Sequence, residues 1–124
     1  MKITLYHNPK CSKSRDALDY LTKNVSEFEV IEYLKTPLSS DEILIICEKL
    51  NIAPKQLIRT KEKLFSELGL STDDDLSHYQ WAEILANHPS LIERPIVLTS
   101  NNAAIGRPLE NIIDLFKHSN KSHG

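Results

Sequence analysis

The first thirty-three residues contain the feature that most constrains the fold, a helical segment between two strand-like segments. Lys2 to Tyr6 alternate apolar and polar side chains, which is the period-2 pattern of a strand, and Glu27 to Tyr33 roughly repeat it. Ser12 to Lys23, between them, have the apolar spacing of a helix. A strand–helix–strand unit of about thirty residues requires parallel strands and a right-handed crossover. The sequence therefore predicts an α/β fold.

Two further segments complete the predicted architecture. Ser39 to Leu91 carry helix-start signals and amphipathic stretches, and we interpret them as a helical insert. The strand pattern then returns in Ile96 to Leu98 and in Ala103 to Ile105, which the turn pair Asn101-Asn102 joins as a hairpin. Leu109 to Lys117 form the last predicted helix. We expect one domain over residues 1–124, with a four-stranded sheet of mixed orientation and the insert at 39–91.

Composition excludes several classes of protein. Fifteen Lys and Arg against seventeen Asp and Glu argue against a nucleic-acid binder that neutralises phosphates in bulk. The longest apolar run, Ile43 to Cys47, is too short to cross a membrane, and the N-terminal residues do not form a signal peptide. Two cysteines are not a disulfide framework. We therefore expect a soluble protein of the reducing cytoplasm.

Cys11 is the strongest candidate for a catalytic residue. It lies where the first strand leads into the first helix, so its sulfur faces unpaired backbone N–H groups and the positive end of the helix dipole. The nearby cations Lys10, Lys13 and Arg15 also favour the thiolate over the thiol. We expect the pKa of Cys11 to lie below the usual value of about 8.5. The alternative, a buried and inert cysteine, is disfavoured because the flanking residues are polar and cationic.

The chain offers no obvious second thiol for a redox cycle. Cys47 lies on the apolar face of a predicted helix, where packing in the core is expected. Position 14, where a dithiol motif would have its second cysteine, is Ser14. A redox cycle at Cys11 would therefore take its second sulfur from another molecule, such as glutathione or a glutaredoxin.

His7 lies four residues before Cys11, at the end of the first strand. It either helps to hold the thiolate or is a partly exposed strand-end histidine, and the sequence leaves both open. One cysteine and one histidine are too few ligands for zinc, and no second pair has ligand spacing, so no metal site is predicted.

Three arginines lie in contexts that favour anion binding. Arg94 precedes a strand, Arg107 precedes the last helix, and Arg59 lies in the helical insert. Any one of them alone would be interpreted as a solvated surface residue. Guanidinium groups nevertheless bind tetrahedral oxyanions in a bidentate manner. A thiolate surrounded by arginines would be suited to attack a phosphate-like anion.

Four groups of residues occur together in a characteristic order. They are His7 to Arg15, Leu57 to Arg59, His88-Pro89 with Ile92 to Val97, and Ile105 to Pro108. In these motifs the chain resembles the glutaredoxin-linked arsenate reductases of the thioredoxin-fold superfamily, over nearly its whole length. The distinct phosphatase-like arsenate reductases have an arginine six positions after the cysteine, where this chain has Ala17. That class is excluded.

The resemblance implies a thioredoxin-like sheet with a helical insert, and a role for each motif residue. It implies Cys11 as the nucleophile, Arg59, Arg94 and Arg107 as oxyanion ligands, and Pro95 as a cis-proline facing the cysteine. We expect His7, Ser14, Arg15 and Pro95 to be supporting residues of this site. Arsenate would dock beside the cysteine and be attacked by it. Glutathione would then attack the adduct, arsenite would leave, and a glutaredoxin would remove glutathione from the enzyme. No bound cofactor is implied, and glutathione is a co-substrate.

Two other functions stay open at the level of sequence. One is a glutathione-dependent thiol–disulfide or deglutathionylating enzyme without activity on arsenate. The other is a non-catalytic regulator that uses the same fold to bind a partner such as RNA polymerase. Regulators of this fold usually carry a Cys-X-X-Cys switch, which the pair Cys11 and Ser14 lacks.

Overall fold

The computed structural model describes residues 2–121. The strands lie towards the two ends of the chain, and the segment between β2 and β3 is helical. In chain order they are β1 (Thr4–Tyr6), α1 (Ser12–Asn24), β2 (Glu29–Ile31), α2 (Ser40–Leu50), a 3₁₀ turn (Pro54–Leu57), α3 (Lys63–Glu67), α4 (His78–Asn87), a second 3₁₀ turn (Pro89–Leu91), β3 (Ile96–Leu98), β4 (Ala103–Ile105) and α5 (Glu110–Lys121).

The four strands form one mixed sheet in the order β2-β1-β3-β4. Strand β1 is parallel to β2 and antiparallel to β3, and β3 and β4 form the antiparallel hairpin. The predicted parallel pair and the predicted hairpin are both confirmed. The central position of β1 places its carboxyl end, and the loop into α1, in the middle of the sheet edge.

The sheet belongs to a first compact unit, to which the described residues 2–33 and 94–121 belong. Its core lies between the sheet and helices α1 and α5. Leu5 and Val97 face each other across β1 and β3 and are fully buried. Ala17 and Leu21, four residues apart on α1, cover them together with Ile112 of α5. A spacing of four places side chains on the same helical face. The apolar face predicted for the first helix is thus the one that packs.

Residues 34–93 form a second compact unit, which is helical, and the insert predicted at 39–91 lies within them. Helix α2 begins with a capping box in which the side chains of Ser39 and Glu42 each bond the other residue's backbone N–H. Ser77 and Gln80 repeat the motif at α4. The two helices pack together, with Trp81 buried.

Cys47 is 2% exposed on α2, so its predicted place in a core is confirmed. Burial disfavours the charged form and raises the pKa of this thiol to about 11.

The predicted ends of two strands and of the last helix were wrong. The first strand begins at Thr4 rather than Lys2, and the second spans Glu29–Ile31 rather than Glu27 to Tyr33. Both are short because the parallel ladder between them contains only three residue pairs. The last helix begins one residue later than predicted and runs on to Lys121. Over residues 2–121, no helix is both long enough and apolar enough to cross a membrane.

Candidate active site

The loop after β1 places Cys11 at the start of α1. Asn8 organises this loop: its carbonyl accepts a hydrogen bond from the Cys11 N–H at 3.0 Å, and its side-chain Oδ1 accepts one from the Lys10 N–H at 3.0 Å. Cys11 has an extended backbone and its carbonyl accepts the first helical bond, from the Arg15 N–H. It is therefore the N-cap residue, and its side chain lies beside the unpaired N–H groups of the first turn.

The Cys11 thiol is 8% exposed, and its pKa lies below the ordinary value. Burial alone would raise that pKa. Interactions of the sulfur with the Ser14 backbone N–H, the guanidinium groups of Arg94 and Arg107, and the Lys13 backbone N–H outweigh burial, because each favours the anion. The structure agrees with the predicted direction of the shift.

The predicted causes of this shift need one correction. The Lys10 and Lys13 side chains are exposed and are not among the groups that lower the pKa of Cys11. Arg15 donates from Nη1 to the carbonyl of Pro9 at 2.9 Å. The cations that act on the sulfur come instead from distant parts of the sequence, Arg94 and Arg107. Adjacency in the sequence therefore does not by itself bring a positive charge to the sulfur.

Arg107 contacts Cys11 directly. Its Nη2 lies 3.7 Å from the Cys11 sulfur, and its Nε donates to the carbonyl of Arg94 at 2.9 Å. The guanidinium is therefore held at two points, one on the backbone before β3 and one on the sulfur. The same carbonyl belongs to the peptide bond between Arg94 and Pro95, which is cis as predicted.

Gly106 allows the loop that carries Arg107 to lie close to Pro95. Its N–H donates to the Pro95 carbonyl at 2.8 Å. A Cβ at this position would lie 2.7 Å from Pro95 Cγ and 2.6 Å from Ile112 Cδ1, closer than real Cβ contacts.

A second cis peptide bond in the described part of the chain, between Arg107 and Pro108, was not predicted. No local pattern distinguishes it from an ordinary trans proline.

His7 is joined to Ser14, a contact that the sequence analysis missed. His7 Nδ1 and Ser14 Oγ are 2.6 Å apart, and Oγ also accepts a hydrogen bond from the Asn8 N–H at 2.9 Å. His7 is 5% exposed, so the partly exposed alternative is wrong. Burial lowers the pKa of His7, with Arg15 acting in the same direction and Glu32 and Ser14 opposing it. The pair fixes the first turn of α1, whose N–H groups face Cys11.

Arg59 lies in the helical unit. Its Nη1 is 2.8 Å from Glu62 Oε1, and its backbone N–H donates to the carbonyl of Leu91 at 2.7 Å. Its role as an oxyanion ligand stays a prediction.

Among the described residues, no group of three or more His, Cys, Asp and Glu side chains could hold a metal ion.

Comparisons with known proteins agree over almost the whole chain. The sequence profile of the ArsC family matches residues 6–115. The arsenate reductase of Neisseria meningitidis serogroup A is 45% identical over 112 residues, covering 90% of this chain and 95% of the relative. The uncharacterized protein YfgD of Escherichia coli K12 is 38% identical over 115 residues, covering 92% of this chain and 96% of YfgD.

One solved structure is similar over a comparable share of the chain. The arsenate reductase from Vibrio cholerae superposes with a TM-score of 0.85 at 40% identity, covering 92% of this chain and 97% of that one. The predicted fold class, a thioredoxin-like four-stranded mixed sheet with helices, is confirmed.

Proposed function

The chain belongs to the ArsC family, and from that membership we propose that it reduces arsenate to arsenite with Cys11 as the nucleophile. The single observation that carries the proposal is the contact of 3.7 Å between Arg107 Nη2 and the Cys11 sulfur. A guanidinium beside a thiol of lowered pKa brings an oxyanion and a nucleophile to the same point.

The first step forms a bond between the Cys11 sulfur and arsenic. Arsenate docks against the guanidinium groups of Arg107 and Arg94, which neutralise its charge and leave the arsenic open to attack. The thiolate supplies the electron pair of the new S–As bond, and one arsenic oxygen leaves as hydroxide or, once protonated, as water. Arsenic is still at its higher oxidation state after this step. Arg59 is proposed as the third oxyanion ligand.

The second step transfers two electrons to arsenic. A glutathione thiolate forms a disulfide with the Cys11 sulfur, the S–As bond breaks, and its electron pair stays on arsenic, which leaves as arsenite. A glutaredoxin thiolate then attacks the glutathione sulfur and releases the Cys11 thiolate. Glutathione is therefore the co-substrate and glutaredoxin the partner, and both belong to the reducing cytoplasm in which we place the protein.

The need for an external thiol follows from the position of Cys47. That thiol is buried in the helical unit, and its pKa of about 11 leaves it protonated at neutral pH. Position 14, the place for a resolving cysteine, is Ser14. Its hydroxyl is occupied by His7 and by the Asn8 N–H, so we assign Ser14 and His7 to supporting the helix start rather than to redox chemistry. Arg15 supports the same loop through Pro9.

A coupled assay tests the proposal. Arsenate-dependent oxidation of NADPH is followed with glutathione, glutaredoxin and glutathione reductase present. Cys11→Ser should abolish it, and the matched variant Cys47→Ala should retain it, since only the first thiol is placed for attack. Wild-type protein that oxidises no NADPH on addition of arsenate would refute the proposed function.

A second candidate is a glutathione-dependent thiol–disulfide enzyme without activity on arsenate. The specific observation in its favour is that a lone thiol of lowered pKa also suits exchange with a glutathionylated protein. The same coupled system, with a glutathionylated protein in place of arsenate, distinguishes the two. NADPH oxidation with the protein substrate and none with arsenate would favour this second function.

A further inference from the structure

The position of Arg107 depends on the loop of residues 106–109 between β4 and α5. Arg107 is exposed, and a long exposed side chain loses considerable rotamer freedom when it is held in one place. A fixed backbone at Arg107 lowers the entropic cost of holding its guanidinium against both the sulfur and the Arg94 carbonyl. A group that fixes this loop from outside the two contacts would therefore favour them.

Asn111, in the first turn of α5, makes two such contacts. Its amide Nδ2 donates to the carbonyl of Ile105 at 3.0 Å and to the carbonyl of Arg107 at 3.3 Å. An amide nitrogen carries two hydrogens, one for each acceptor. Ile105 is the last residue of β4, so the amide connects the end of the sheet to the backbone of Arg107.

The beginning of α5 does not depend on this side chain. The backbone N–H of Asn111 donates to the Pro108 carbonyl at 3.1 Å, and the next residue, Ile112, is fully buried in the core. Asn111 itself is exposed, where alanine is the best helix former. Replacing the amide should therefore release the loop and leave the helix in place.

We propose that Asn111 is a positioning residue that holds Arg107 against the Cys11 sulfur, and so sets both the reactivity of the thiolate and the binding of the oxyanion. The second effect rests on the proposed function. The first does not, because thiolate reactivity is measured without arsenate.

The experiment compares Asn111→Ala with Asn24→Ala. Asn24 is the matched control, since it is also exposed and also donates its amide to a backbone carbonyl, that of Tyr20 at 2.8 Å, at the far end of α1. The rate of alkylation of Cys11 by iodoacetamide at about pH 6 reports the thiolate fraction. We expect Asn111→Ala to slow it by about threefold to tenfold, the range for losing a hydrogen bond, and Asn24→Ala to leave it unchanged. The kcat/KM for arsenate should fall by a similar factor.

An Arg107→Ala background shows whether the effect passes through Arg107. In that background Asn111→Ala should change the alkylation rate no further, since the group it positions is gone. An unchanged rate in the single variant, an equal loss in both backgrounds, or loss of the folded circular-dichroism spectrum would overturn the proposal. Wild-type protein inactive on arsenate, with slowed alkylation in Asn111→Ala, would refute the proposed function and retain the positioning role.

Discussion

Arg107→Ala is the perturbation that most directly tests the candidate active site. It removes the guanidinium whose Nη2 lies 3.7 Å from the Cys11 sulfur. At this distance two unit charges attract by about 4.5 kcal/mol at an effective dielectric constant of about 20. Arg107 is exposed, so solvent screens much of this, and a charged hydrogen bond is worth about 1.5–3 kcal/mol net. We expect kcat/KM for arsenate to fall by about 10- to 150-fold.

The pKa of Cys11 should rise in the same variant, because a group that favours the anion is lost while burial, which disfavours it, remains. Thiolate absorbance measured against pH reports this directly. Lys10→Ala is the control: it removes an equal charge next to Cys11 in the sequence, but this side chain is exposed and is not among the groups that lower the pKa of Cys11. The pKa of Cys11 in Lys10→Ala should equal that in the wild type. Arg107→Lys should restore part of the activity, since lysine keeps the charge without the planar group that also binds the Arg94 carbonyl.

Exchange with a small neutral disulfide separates anion binding from thiolate reactivity. At alkaline pH, where Cys11 is a thiolate in every variant, Arg107→Ala should exchange as fast as wild type and still be defective with arsenate. Equal loss of the two activities there, or an unshifted Cys11 pKa, would show that Arg107 does not act as an oxyanion ligand beside the sulfur.

Three further outcomes follow from the described contacts. Cys47 should resist alkylation in the native protein and react on unfolding, because it is buried and its pKa is raised to about 11; rapid native labelling would contradict its place in the core. Gly106→Ala should lower the free energy of unfolding by about 1–3 kcal/mol, measured by urea denaturation, because the new Cβ overlaps the rigid ring of Pro95; unchanged stability together with wild-type activity would show that the loop has room. Burial lowers the pKa of His7, so as the pH falls the unfolded chain takes up this proton at a higher pH than the folded protein does. The stability that neutral His7 contributes is therefore complete above about pH 6.5 and is lost as the pH falls through the folded-state pKa. The urea midpoint of the wild type should fall over this pH range, and an equal fall in His7→Gln would contradict the assignment.

The strands and helices could be predicted where local pattern and tertiary pairing coincide. Strands β3 and β4 begin and end where predicted, since the Asn101-Asn102 turn fixes the hairpin locally. Strand β2 is shorter than its alternating pattern because only three of its residues pair with β1. The central place of β1 depends on its pairing with β3, about ninety residues away in the sequence, and no local pattern encodes that pairing.

The residues of the candidate site likewise divide into those that the sequence could identify and those that it could not. Cys11 could be identified from its neighbours alone, because a strand followed by a helix N-terminus is visible in the sequence. His7 and Ser14 were both predicted as supporting residues, but the bond between them was not, although it could have been found from their places on either side of the loop. Arg107 lies ninety-six residues from Cys11, and only the resemblance to a family connected them.

The two halves of the site also differ in what holds them, and this bears on how the function could change. The Cys11 thiolate is favoured by backbone N–H groups of α1 as well as by Arg94 and Arg107, so the displacement of one guanidinium removes only part of what stabilises the thiolate. The proposed anion site depends on the loop that Gly106 and Asn111 hold, so a change there should lower activity on arsenate at every pH and thiolate reactivity only below the raised pKa of Cys11. Thiol exchange and arsenate reduction are therefore separable on this fold, and the loop of residues 106–109 is where they separate.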